Sequence, residues 1–193
     1  MRILRRAFFA RPTSVVARAL LGKVLVRQIG RRVLAGRIVE TEAYMSGDPA
    51  SHAFRGRTER NRALFGEVGY AYIYQTHGYV CLNIVAKKGG PAGGVLVRAL
   101  EPLDGIGARR GRSGWTGDPR IMSGPGKLAR AMSIGKRLYG ADLTKNGPLY
   151  IGDDGAAKPD VRRTPRIGVT AAREKRWRFV VESSPFITRP RLR

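Results

Sequence analysis

The chain has 193 residues and carries 37 Lys+Arg against 14 Asp+Glu, a formal net charge of +23. That much like charge repels itself unless something anionic meets it, which argues against a partner-free enzyme. An apolar fraction of 42% argues against wholesale disorder. The length suits one domain, and arginine supplies 29 of the 37 cations. A polyanion is the expected partner, with nucleic acid ahead of an anionic membrane surface; Arg-rich codon usage in a GC-rich genome also contributes.

In chain order, residues 12–21 read as a helix: Thr13 or Ser14 can cap it, Val15, Val16, Ala19 and Leu20 make an apolar face, and Gly22 stops it. Alternation over 23–29, a Gly30-Arg31 turn and a second extended run over 32–44 predict a hairpin. Gly47-Asp48-Pro49 breaks the pattern and a basic loop follows to Arg57. Residues 59–65 suit a short helix. Two strands over 70–74 and 79–85 flank a tip at Gln75-Thr76-His77-Gly78, and a Gly-rich turn at 89–94 leads to a strand over 95–100. A helix is expected over 104–112, a mobile basic loop over 111–121, and a helix from Ser123 to about Ser133. Beyond Asn146 the chain reads as short strands and loops, clearest at 166–169 and 178–181. The sum is α+β: a single domain spanning 1–193, built on a curved antiparallel sheet with packed helices and a protruding β-hairpin. The βαβ alternation and Gly-rich fingerprint of a dinucleotide fold are missing.

Carboxylates are scarce, so their placement is informative. Glu40, Glu42 and Tyr44 share one face of an otherwise apolar strand by the two-residue period. Either both glutamates are paired with arginines, or one is set in a cleft as a general base or charge stabiliser. Arg98, inside Val95-Leu96-Val97-Arg98-Ala99-Leu100, must find a carboxylate or a phosphate. Four of the seven tyrosines, Tyr70, Tyr72, Tyr74 and Tyr79, fall within ten residues; cross-strand packing explains them, and so does stacking on a nucleobase. Ser123-Gly124-Pro125-Gly126-Lys127 offers backbone N–H groups and a lysine to a phosphate. With one cysteine, Cys81, and two histidines, His52 and His77, no metal and no cofactor is expected. No apolar run approaches the roughly 20 residues of a membrane span. No signal peptide is evident at the N-terminus, so a cytoplasmic, nucleoid-associated bacterial protein, monomeric and without a membrane partner, is expected.

Taken together, the motifs resemble the alkyladenine (3-methyladenine, methylpurine) DNA glycosylase family. The resemblance rests on residues 17–26, Gly36-Arg-Ile-Val-Glu-Thr-Glu-Ala-Tyr44, Arg60-Asn-Arg62 with Phe65, Tyr72-Ile-Tyr74, Cys81-Leu-Asn83, Val97-Arg-Ala-Leu-Glu-Pro102 and Ser123-Gly-Pro-Gly-Lys-Leu128, in order along nearly the whole chain. It implies a base-excision-repair enzyme that binds damaged double-stranded DNA and flips an alkylated, or a deaminated, purine into an aromatic pocket. Hydrolysis of the N-glycosidic bond would leave an abasic site without strand cleavage. By position it makes Glu42 the carboxylate that activates water and Arg98 its support. Tyr44, His52 and Tyr74 would line the pocket with Asn83 at its floor; the phosphate-suited turn of Ser123, Gly124 and Lys127 is expected, on its own chemistry, to contact the DNA backbone. The hairpin tip is one residue shorter than the family's usual form, which places His77 as the wedge, with Gln75 or Thr76 as alternatives. The competing reading is a non-catalytic RNA- or ribosome-binding module, which fits the charge and aromatics but not Glu40, Glu42 and Arg98 inside apolar strands.

Overall fold

The computed structural model describes residues 1–76, 78–103 and 118–189. The helix expected over 104–112, most of the loop expected over 111–121, and His77 lie outside the described residues. The remainder is α+β, as the sequence implies: an antiparallel sheet with short helices against it.

The long strand β3 (Arg32–Met45) is the axis of the sheet. It forms the expected hairpin with β2 (Val24–Ile29), with Ile29 opposite Arg32 and Gly30 at φ +56° in the turn. Beyond residue 37 the same edge of β3 is taken over by β9 (Arg178–Val181), which pairs with Glu40, Thr41 and Glu42. Along the other edge runs β6 (Gly93–Pro102). The sheet continues past β6 through β5 (Tyr79–Val85) to β4 (Ala71–Thr76), and past β2 through β7 (Leu149–Asp153) to β1 (Arg2–Ile3). Outside this path β8 (Val161–Thr164) pairs with β9.

After the single turn α1 (Arg6–Phe9), one face of the sheet is covered by α2 (Thr13–Ala19) and α3 (Pro125–Ala131). Val16 and Ala17 from α2, with its cap residue Leu20, and Leu128 and Ala129 from α3, with its cap residue Met132, join Ile38, Leu82, Ile84, Val95, Val97 and Leu100 in the main core. Each large side chain so buried contributes about 1.5–3 kcal/mol. The core is therefore on the α2 side, which leaves the other face of β3 for polar work.

Four expectations need correction. Neither Thr13 nor Ser14 caps α2: Pro12 is the cap residue, and the Thr13 hydroxyl instead donates to the Ala86 carbonyl (2.7 Å). The helix expected over 59–65 shrinks to one 3₁₀ turn, Arg62–Phe65. Gln75 and Thr76 are not tip residues but pair with Val80 and Tyr79, so the hairpin is tighter than the sequence suggests. Residues 166–169 form no strand, because the Ile167 N–H donates to the Glu42 side chain rather than to a ladder (2.8 Å) and Pro165 ends β8.

Gly69, at φ +82°, turns the chain into β4. A Cβ there would stand 2.4 Å from Thr144 Cγ2 and 3.2 Å from Phe9 Cδ2. Gly69→Ala should cost about 1–3 kcal/mol, seen as a lower urea midpoint at unchanged slope; an unaltered midpoint would contradict this packing.

Candidate active site

Strand period decides which side chains of β3 meet. The Thr41 hydroxyl donates to the Ala17 carbonyl of α2 (2.8 Å), so the residues on either side of it, Glu40 and Glu42, point to the opposite face. Opposite them on β6 the register breaks twice. Ile38 pairs with Leu100, Glu40 with Ala99 and Thr41 with Val97, leaving Val39 and Arg98 with no residue opposite. Bulges of this kind re-aim a side chain, and here the result is that Arg98 reaches both glutamates. Its Nε donates to Glu40 Oε1 and its Nη1 to Glu42 Oε2, each at 3.2 Å. The two carboxylates are fully buried and Arg98 is 7% exposed. Burial lowers the pKa of Arg98, but Glu42 and Glu40 outweigh that and leave it raised.

Each glutamate has further donors. Glu42 Oε2 accepts from the Tyr44 hydroxyl (2.8 Å) and Oε1 from the Ile167 N–H. Glu40 accepts from Arg178 Nε at Oε1 and from the Thr188 N–H at Oε2, both at 2.6 Å. Asp48, also buried, pairs through both oxygens with Arg166. Burial, followed by the charge and hydrogen bond of Glu42, raises the pKa of Tyr44, so its phenol keeps its proton.

Beside this network is a small cavity of about 50 Å³ lined by Tyr44, Ala50, Ser51, His52, Leu64, Tyr72, Tyr74, Asn83 and Gly94. The Tyr72 and Tyr74 rings stack at 5.6 Å, and His52 packs edge-on to Tyr74 at 4.4 Å with Nδ1 2.9 Å from the Tyr72 hydroxyl. Burial pushes the Tyr72 phenol up to about 12. Asn83 is buried and its Nδ2 lies 3.5 Å from the Tyr72 carbonyl. Gly94 is needed for space: a Cβ there would be 2.8 Å from Leu64 Cδ2 and 3.9 Å from Asn83 Cβ.

Six residues singled out in the sequence, Glu42, Arg98, Tyr44, His52, Tyr74 and Asn83, thus come together. The segment before α3 is more fully engaged than its sequence suggests. The Gly124 N–H donates to the Arg98 carbonyl (3.0 Å) and the Ser123 hydroxyl to the Ile187 carbonyl (3.2 Å), while Lys127 is exposed. Among the described residues no group of His, Cys, Asp or Glu is arranged to hold a metal, and no helix is long and apolar enough to cross a membrane. Sequence reasoning missed Arg166, Ile167, Arg178 and Asp48. The scarcity of acids was the available signal, since a lone aspartate in a Gly-Asp-Pro turn reads as a breaker. Tyr72 was seen as part of the aromatic cluster but not as a wall of the cavity.

Residues 7–185 match the family model described as methylpurine-DNA glycosylase. Curated relatives named as 3-methyladenine DNA glycosylases cover nearly the whole chain. The protein of Koribacter versatilis is 46% identical over 96% of this chain and 92% of its own length. That of Chlorobaculum parvum is 45% identical over 100% and 93%, and that of Methanocella arvoryzae 46% identical over 98% and 97%.

The His52 ring has a specific electrostatic signature. Loss of water against the tyrosines, then the charge of Arg60, holds its pKa below the ordinary 6.5. Between that depressed value and 6.5 the unfolded chain binds a proton that the folded protein refuses. His52 therefore contributes stability that is complete above 6.5 and lost as pH falls toward the folded value. An NMR titration, with His52 assigned by comparison with His52→Gln, should give a midpoint below 6.5; a midpoint at or above it would contradict this environment.

Proposed function

The chain belongs to the methylpurine-DNA glycosylase family and is a DNA glycosylase of the 3-methyladenine type, and from that premise we propose that Glu42 is the carboxylate that drives base release from damaged duplex DNA. The observation that carries this reading is a fully buried, Arg98-bound carboxylate that accepts a hydrogen bond from Tyr44, itself a wall residue of the aromatic cavity. A carboxylate offers about four acceptor positions. Three donors already hold Glu42, namely Tyr44, Arg98 and the Ile167 N–H. Among the described residues these three donors leave one position, which in this proposal takes the attacking water as the bound nucleotide opens the site.

A base inside the duplex is out of reach, so the nucleotide rotates out at a cost of a few kcal/mol. Contacts from the basic surface, Lys127 among them, offset that cost, and His77, which follows β4 in the chain, fills the gap. The flipped purine enters between Tyr44, His52 and Tyr74, with Asn83 at the floor. Purines alkylated on a ring nitrogen carry positive charge as nucleosides, and the ring faces favour them by about 0.5–2 kcal/mol. Deaminated purines are a further class, whose neutral leaving base would need a hydrogen bond or proton from the pocket. As the N-glycosidic bond lengthens, the sugar gains oxocarbenium character, which Glu42 stabilises while accepting the proton of the attacking water. Among the described residues no lysine lines the cavity, which supports hydrolysis over Schiff-base chemistry and an abasic product with the strand intact.

Glu42→Gln should retain binding to damaged duplex and lose more than about 100-fold in single-turnover base release; full activity in that variant would end the assignment. Affinity should fall steeply with salt, log Kd changing by about 0.9 per phosphate contact for each decade of concentration. A flat dependence measured between 50 and 200 mM salt would remove the phosphate grip from the proposal.

A further inference from the structure

Tyr44 is flanked by a charge that the reaction does not use. The Arg166 guanidinium lies over its ring, 4.6 Å from the centroid, and 5.1 Å from the centroid of Trp177. It is therefore in contact with two aromatic rings. Its Nη1 donates to Asp48 Oδ2 and to the Ala43 carbonyl (3.1 Å), and its Nη2 to Asp48 Oδ1 (3.0 Å). Among the described residues the buried Nε has no hydrogen-bond partner. Both side chains are fully shielded from water. Burial opposes the charge on Arg166, but the hydrogen bond and charge of Asp48 outweigh it and the pKa is raised.

This arrangement bears on which bases the cavity accepts. Arg166 is not itself part of the cavity wall, whereas Tyr44 is. With Arg166 over one face, Tyr44 has its other face to offer a base. A purine alkylated on a ring nitrogen would bring a second positive charge to the same ring. Two cations sharing one ring repel across a water-poor site, and the quadrupole of the ring cannot satisfy both fully. Asp48 supplies the compensating negative charge.

We propose that the Arg166–Asp48 pair is a specificity-determining element behind the base pocket: Arg166 fixes the Tyr44 ring from behind, and Asp48 cancels its charge so that the ring still accepts a cationic purine. The inference rests on the reading of Tyr44 as a base-stacking surface. It assigns to Asp48 an effect on the charge preference of the pocket, which a purely structural tether between its loop and residues 165–167 would not have.

The test compares two duplex probes of the same shape and different charge. One carries cationic 7-methylguanine and the other neutral 7-deaza-7-methylguanine, both on a 2′-fluoro sugar, which resists base release. The ratio of the two Kd values is taken within each protein preparation, so any loss of folded protein cancels. In Asp48→Asn, preference for the cationic probe should drop about ten- to thirtyfold, as expected for an uncompensated charge one ring away. In the double variant Asp48→Asn/Arg166→Met, where both charges are gone, the preference should return to the parent value or exceed it. Tyr44→Leu should lose affinity for both probes. An unchanged ratio in Asp48→Asn, with Tyr44→Leu impaired on both, overturns the charge-compensating role alone. Full affinity in Tyr44→Leu overturns the pocket reading and this inference with it.

Discussion

Three buried carboxylates, Glu40, Glu42 and Asp48, meet three buried guanidiniums, Arg98, Arg166 and Arg178, and the rest of the site depends on that match. An ion taken out of water costs several kcal/mol unless a partner and further hydrogen bonds answer it, and removing one partner of such a pair is far more damaging than never having had it. Six such groups in one region leave little freedom. Glu40 receives Arg98, Arg178 and a backbone N–H from the C-terminal segment, so one carboxylate ties together β3, β6, β9 and residue 188. Glu42 does the same for β6, Tyr44 and the loop after β8. The network is compact because its two central acids are two residues apart on one strand.

The network also explains the division of labour between the two sides of the sheet. Helix α2 covers the Thr41 side with apolar packing, and that side holds the core. The other side carries the charges and, next to them, a cavity with four rings among its wall residues, Tyr44, His52, Tyr72 and Tyr74. Fixing Glu42 by three donors leaves it rigid, which is what a group that must stabilise developing charge requires. The aromatic walls are held in the same economical way. Tyr44 is bonded to Glu42 and backed by Arg166, while His52, Tyr72 and Tyr74 brace one another. The basic surface, by contrast, is largely solvated, and its grip on a polyanion needs no such order.

Much of this was legible in the chain. Alternation placed β2, β3, β4, β5 and β9 because each has a two-residue period or a short apolar run bounded by turn residues. Glu42 and Arg98 stood out because charges inside apolar strands must be answered. The aromatic run announced itself by density. Other parts were not legible for definite physical reasons. The hydrogen bond from Ile167 to Glu42 spans 125 residues and comes from a main-chain group, which carries no sequence signature. Arg166 and Arg178 are two among 29 arginines, most of them solvated, and composition cannot tell which are buried. The tight hairpin between β4 and β5 followed from pairing register, which turn residues alone left two residues too loose.

The amino-acid sequence by itself determined the antiparallel character of the sheet, the face on which Glu40, Glu42 and Tyr44 lie, and the family to which the chain belongs, because strand period and motif order are local properties of a chain. Only the tertiary structure decided which arginine answers which carboxylate. That choice depends on two bulges, at Val39 and Arg98, that shift the register between strands some 60 residues apart in sequence and aim the Arg98 guanidinium at both glutamates. The strength of a charge pair is set by distance and burial, and neither exists until the strands are side by side.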